Sequence, residues 1–179
     1  MNWITFLLTI ILAWAAFTYN RLIRQRNTVE EAWAGIDVQL TRRFDLIPNL
    51  VELVKGYKEF EADTLEKITA MRAETTAPVS ERAQSETRIS GQMKKLIALA
   101  EAYPELKADK NFRQLHQSLV EVEDQLQYSR RYYNGAVRDN NNLVESFPSN
   151  LLAHAFSFSS AEFFEIEFIS QRKLPKVAL

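Results

Sequence analysis

Residues 3–19 read WITFLLTIILAWAAFTY, a run with no charged side chain, and nothing else in the sequence restricts the fold as strongly. Its polar members are Thr5, Thr9, Thr18 and the terminal Tyr19. As a helix the run is roughly 26 Å long, the short end of what crosses a ~30 Å hydrocarbon core. Trp3 and Tyr19 stand at its two ends, where interfacial aromatic anchors sit.

A cleavable signal peptide is the rival reading, since Ala13-Trp14-Ala15 resembles an A-x-A cleavage site. Only Met1 and Asn2 precede the run, however, and a signal peptide needs a basic start. The expectation is an uncleaved transmembrane anchor over residues 1–20, in contact with the lipid bilayer. Arg21, Arg24 and Arg26 follow it directly, so the positive-inside rule predicts the N-terminus outside and the rest in the cytoplasm. Thr5, Thr9 and Ala13 recur every four residues, a small-residue face that supports self-association of transmembrane helices.

Composition excludes several classes. The chain has no Cys, which removes disulfides, thiolate zinc sites, Fe–S clusters, lipoprotein anchoring and a Cys nucleophile. Its 22 Lys plus Arg and 23 Asp plus Glu leave a net charge of −1, whereas a general nucleic-acid binder shows a basic excess. Four Gly and five Pro in 179 residues are too few for the hairpins of a many-stranded β fold.

Helical periodicity fills the region 21–150. Val29, Trp33, Ile36 and Leu40 share one face. The first helix can run unbroken from the span to about Phe44. At Phe44-Asp45-Leu46-Ile47-Pro48 the chain either starts a new helix, capped by Asp45 with Pro48 in its first turn, or continues with a kink. A second stripe holds Leu50, Leu53, Val54, Tyr57, Leu65, Ile68 and Met71. A third holds Ile89, Met93, Leu96, Ile97, Ala100 and Tyr103, closed by Pro104. A fourth, from about Glu105 towards Ser146, holds Phe112, Leu115, Leu119, Val122, Leu126, Tyr133 and Val137. The expected fold is all-α: a transmembrane helix followed by an antiparallel four-helix up-and-down bundle.

The segment 151–168 contains Phe156, Phe158, Phe163, Phe164 and Phe168. Those rings either close the end of the bundle or dock on a partner subunit or the membrane surface. The tail 169–179 is basic and expected to be disordered.

Chemistry-bearing patterns are sparse. His116 and His154 lack the Glu-x-x-His spacing of bundle metal sites, and no phosphate-binding loop or hydrolase motif occurs. No catalytic residue, cofactor or metal is therefore expected. Two polar clusters stand out. Asp37, Gln39, Arg42, Arg43 and Asp45 form one; Arg130, Arg131, Asn134, Arg138, Asp139 and the run Asn140 to Asn142 form the other. Arg forks suit carboxylate and phosphate. Arg42, Arg43, Asn134 and Arg138 are accordingly the candidate interaction residues, against the alternative that these clusters only join helices.

The block VEEAWAGIDVQLTRRFDLIPNLVELVKGY (residues 29–57) resembles the signature of the LemA family of bacterial membrane proteins. YPELKADKNFRQL (103–115), RRYYNGAVRDNNN (130–142), ESFPSNLLA (145–153) and AEFFEIE (161–167) are similar to its later blocks, in the same order. Two positions depart from the pattern: the family often has Tyr where Asn140 stands and Gly where Ser157 stands. The resemblance implies a short N-terminal membrane helix, a cytoplasmic helical bundle, and location in the bacterial inner membrane. It supplies no catalytic residues. The expected function is a non-catalytic scaffold or adaptor that binds another membrane or envelope protein. A self-assembling homo-oligomer on the membrane is the second possibility, and an enzyme the third.

Overall fold

The computed structural model describes residues 3–55, 79, 86, 89–91, 93, 94, 97, 98 and 103–164. Among the described residues there is no strand, and four helices are bounded: α1 (Trp3–Lys55), α2 (Pro104–Ala108), α3 (Lys110–Glu145) and α4 (Ser149–Ala155). The all-α expectation holds. The antiparallel four-helix bundle is not confirmed by the described residues, because most of its expected second and third helices lies outside them.

At Pro48, where the sequence left a new helix or a continuation open, the continuation is what forms. α1 continues through it to Lys55, so Asp45 caps nothing and stands exposed in mid-helix. Pro48 is exposed too, which lets its ring project outward although the carbonyl of Phe44 loses its N–H partner. At Asp109 the expected fourth helix instead breaks into α2 and α3. The Asp109 N–H donates to the Leu106 carbonyl at 3.1 Å and ends α2. Its Oδ1 accepts the Phe112 N–H at 2.9 Å and caps the start of α3. Most of the second stripe, with Leu96 and Ala100 of the third, lies outside the described residues.

Both long helices bury residues in alternating steps of three and four. On α1 these are Ile36, Leu40, Arg43, Ile47 and Leu50; on α3, Phe112, Leu115, Leu119, Val122 and Leu126. This is the spacing of helices packed nearly side by side. Polar side chains occupy some of the inward slots: Arg43 on α1, Arg130 and Asn140 on α3.

The described chain divides into two compact units. One comprises residues up to Asp37 and Tyr128–Phe163. There α1 and α3 run antiparallel: Leu22 shares an apolar cluster with Leu143, Val144 and Ala153, and Trp33 meets the Tyr133 ring at 5.4 Å. The other comprises the described residues of 38–127 with Phe164. Its core joins Ile47, Leu50 and Val51 of α1 to Ile89, Met93, Leu106, Phe112, Leu115 and Leu119.

The N-terminal part of α1 is the one described helix long and apolar enough to cross a membrane, and only 11% of that apolar stretch is buried against the chain. It is a candidate membrane anchor.

Candidate functional site

In the unit around residues 38–127, the two adjacent arginines part ways. Arg43 is fully buried, 0% exposed. Its guanidinium forms an ion pair with buried Glu86, and Nη1 donates to Ser90 Oγ at 2.9 Å and to Glu123 Oε2 at 3.3 Å. A cation held by two carboxylates and a hydroxyl ties α1 to α3 and to Glu86 and Ser90. Arg42 is exposed and lines a groove of about 660 Å³ with Gln39, Asp45, Glu121 and Asp124.

In the unit around α3's C-terminal half, Asn134 is half-buried and Arg138 is exposed, its Nε 3.4 Å from Asp139 Oδ1. The four candidate residues thus divide between the two units, two in each. Arg130 and Asn140, part of the same polar cluster, are buried.

The outward strip of α3 is more pronounced than any of the four. Tyr128 is 64% exposed and Tyr132, one turn on, 53%. The Arg131 guanidinium sits 5.9 Å from the Tyr128 ring. Gly135 follows on the same strip, with open space where a side chain would project. The sequence pointed to Arg131, Asn134 and Arg138 on this helix but not to the tyrosines beside them; the signal is a Tyr pair at a spacing of four among charged neighbours.

Three side chains of α3 hold the segment after α4. Asn141 Nδ2 donates to the Ala161 carbonyl at 2.9 Å, and its Oδ1 accepts the Ala161 N–H at 2.8 Å. Ser160 Oγ donates to Glu145 Oε1 at 2.7 Å, and the Tyr133 hydroxyl donates to the Glu162 carbonyl at 2.9 Å. Burial pushes the Tyr133 hydroxyl above its usual 10.0, and the Glu162 carboxylate adds to the shift. Ser157, where the chain leaves α4, has φ 58°, the left-handed region that a glycine adopts without strain. Residues 165–168 of the aromatic segment, and the tail, lie outside the described residues.

Thr5, Thr9 and Ala13 are all exposed on α1, and the Thr9 hydroxyl donates to its own helix at Phe6 O, 2.7 Å. His116 is half-buried and stacks on Phe112, rings 7° apart with centroids at 6.2 Å. Among the described residues no group of three or more His, Cys, Asp or Glu is placed to hold a metal ion.

The chain is similar to known proteins over most of its length. Protein LemA of Metamycoplasma hominis is 28% identical over 159 residues, covering 85% of this chain and 71% of that protein. The magnetosome proteins MamQ 1 and MamQ 2 of Paramagnetospirillum magneticum are each 23% identical over 175 residues, covering 82% of this chain and 64% of their own length. The chain therefore spans less than two thirds of those two proteins. The LemA family profile matches residues 32–179. By this match, and by the ordered blocks already noted in its sequence, the chain belongs to the LemA family.

Proposed function

We propose that this chain is a membrane-anchored helical scaffold that binds another membrane protein and carries out no catalysis. The observation that carries the reading is the α3 strip of Tyr128, Arg131 and Tyr132. Tyr and Arg are the residue types on which interfaces concentrate their binding energy. Two exposed tyrosines one turn apart, with an Arg against one ring, form such a patch on a rigid helix. Arg138 and Asp139 extend it as a polar rim.

The proposed setting is the bacterial inner membrane, crossed once by the start of α1, with the N-terminus outside and the remainder in the cytoplasm. Arg21, Arg24 and Arg26 support that orientation. A second reading, self-assembly into a homo-oligomer, is favoured by the exposed face of Thr5, Thr9 and Ala13.

A photo-crosslinking residue in place of Tyr132 tests both in cells making the full chain. Adducts with a different membrane protein, lost in Tyr128→Ala, support the scaffold. Adducts with a second copy alone favour self-assembly. A strip that yields no adduct, in a protein that still melts normally, defeats the proposal.

A further inference from the structure

The start of α1 carries a constraint on the rest of its unit. The apolar run ends at Tyr19 and the first charge is Arg21. The side chains at that boundary are not surrounded by lipid or water alone. Thr18 is 6% exposed and Leu22 is fully buried, covered from within the same unit. A cavity of about 540 Å³ has Trp14, Phe17 and Thr18 of the apolar run on one wall and Ser146, Phe147 and Pro148 on another. The Tyr19 ring meets Phe156 at 4.8 Å and Phe158 at 5.8 Å, both edge-on. The turn 146–149 and α4 are therefore level with the last two turns of the span.

At that level the chain exposes apolar side chains. Phe147 is 79% exposed, Leu151 61% and Phe156 56%. Phe147 and Leu151 are four apart, while Ser149 and Ala153 face inward and are buried. The exposed side of the turn and α4 thus carries large apolar residues, with His154 beside Leu151, while smaller side chains pack inward. The cavity beside it grades from Phe17 and Phe147 to Arg21, Gln25 and Asp139. A phospholipid interface has the same gradient, from acyl chain to phosphate.

We propose that the turn 146–149 and α4 form a second membrane contact, seated in the interfacial layer beside the span. Phe147, Leu151 and Phe156 enter the acyl boundary, and Arg21 faces the phosphates. The occupant is the bilayer because the surface is continuous with the helix that crosses it. This inference rests on the reading of α1 as a membrane anchor, and it adds that the soluble part is tied to the surface at a second point.

The chain has no Cys, so single Cys variants give clean labelling sites. The full chain is reconstituted in phospholipid vesicles with an environment-sensitive dye at Leu8→Cys, Phe147→Cys, Leu151→Cys or Arg131→Cys. Dyes at 8, 147 and 151 are expected to lose most of their emission when nitroxide-bearing lipids are included and little to aqueous iodide. The dye at exposed Arg131 is expected to do the reverse. Lipid quenching at 8 with iodide quenching at both 147 and 151 overturns the second contact and leaves the anchor standing. Iodide quenching at 8 overturns both. Because Phe147 and Leu151 are exposed, their substitution leaves the core intact, and unchanged melting of the labelled variants checks this.

Discussion

The side-chain amide of Asn141 and the backbone of Ala161 exchange two hydrogen bonds, at 2.9 and 2.8 Å, as two strands would. Among the described residues no strand pairs with the segment after α4, and Asn141 supplies both the donor and the acceptor that a strand would provide. Asn141→Ala removes both bonds at once. At about 1 kcal/mol per bond, with some added cost for the half-buried groups left behind, the expected loss is about 2–3 kcal/mol. Hydrogen exchange should rise at Ala161 and Glu162 before it rises in α3. Unchanged protection there would mean that Asn141 does not hold the segment.

Arg43 and Arg138 should respond oppositely to truncation. Arg43→Ala strands buried Glu86 and the partly buried Glu123 without their cation. Breaking a buried pair from one side costs about 3–5 kcal/mol. Arg138 pairs with Asp139 at the surface, where such pairs are worth about 0–1 kcal/mol. Thermal melting of the two variants should therefore separate widely. Arg138→Ala should lose capture of a partner only if the outward strip of α3 is the binding surface.

Ser157 holds a left-handed backbone with a side chain that opposes it. A non-glycine residue there costs about 1–2 kcal/mol, part of which glycine gives back through its freer unfolded state. Ser157→Gly should stabilise the protein by about 0.5–1 kcal/mol, and Ser157→Val should destabilise it. A drop in melting temperature for the glycine variant would contradict this backbone assignment.

The Tyr133 hydroxyl is raised by burial first and by Glu162 second. Its folded pKa lies above its unfolded one, so its contribution is complete below about pH 10 and is lost as pH rises through the folded value. Melting followed from about pH 8 upward should fall more steeply for the wild type than for Tyr133→Phe, which has no proton to lose there. At neutral pH the Phe variant should be the less stable, by about 1 kcal/mol for the bond to the Glu162 carbonyl. Parallel alkaline slopes would rule out this assignment.

Leu119 lies in the core with Leu115 and Met93. Leu119→Ala should cost about 2–5 kcal/mol, as buried Leu truncations do. A loss near the level of surface changes would show that the α3 stripe is not packed.

The seven apolar residues read as the α3 stripe, from Phe112 to Val137, are all buried, because a helix facing a core on one side repeats its apolar positions at a fixed period. The same period pointed to Arg43, which falls between Leu40 and Ile47 in the step of three and four. Its charge marked it as a candidate for interaction, and its acidic partners come from sites 43 and 80 positions away, a distance no local pattern spans. Pro48 left two courses open in the sequence, and the chain takes the continuous one, because a proline inside a helix is tolerated where packing on the opposite face outweighs one lost hydrogen bond. Asp109 was missed because the apolar period passes across it, while a cap leaves only one polar residue as its trace. The hold of Asn141 on Ala161 was invisible, since Asn near a helix end suits many local roles.

Asp109 is the whole connection between α2 and α3, and Leu106 and Phe112 on either side of it are both core residues. A link of one residue has no slack. Insertions and deletions that longer surface loops absorb would here turn one helix against the other and lift a core side chain from its place. Length variation among related chains should therefore avoid this junction, and a fusion or tag inserted at it would unfold the protein where one at an open loop would not.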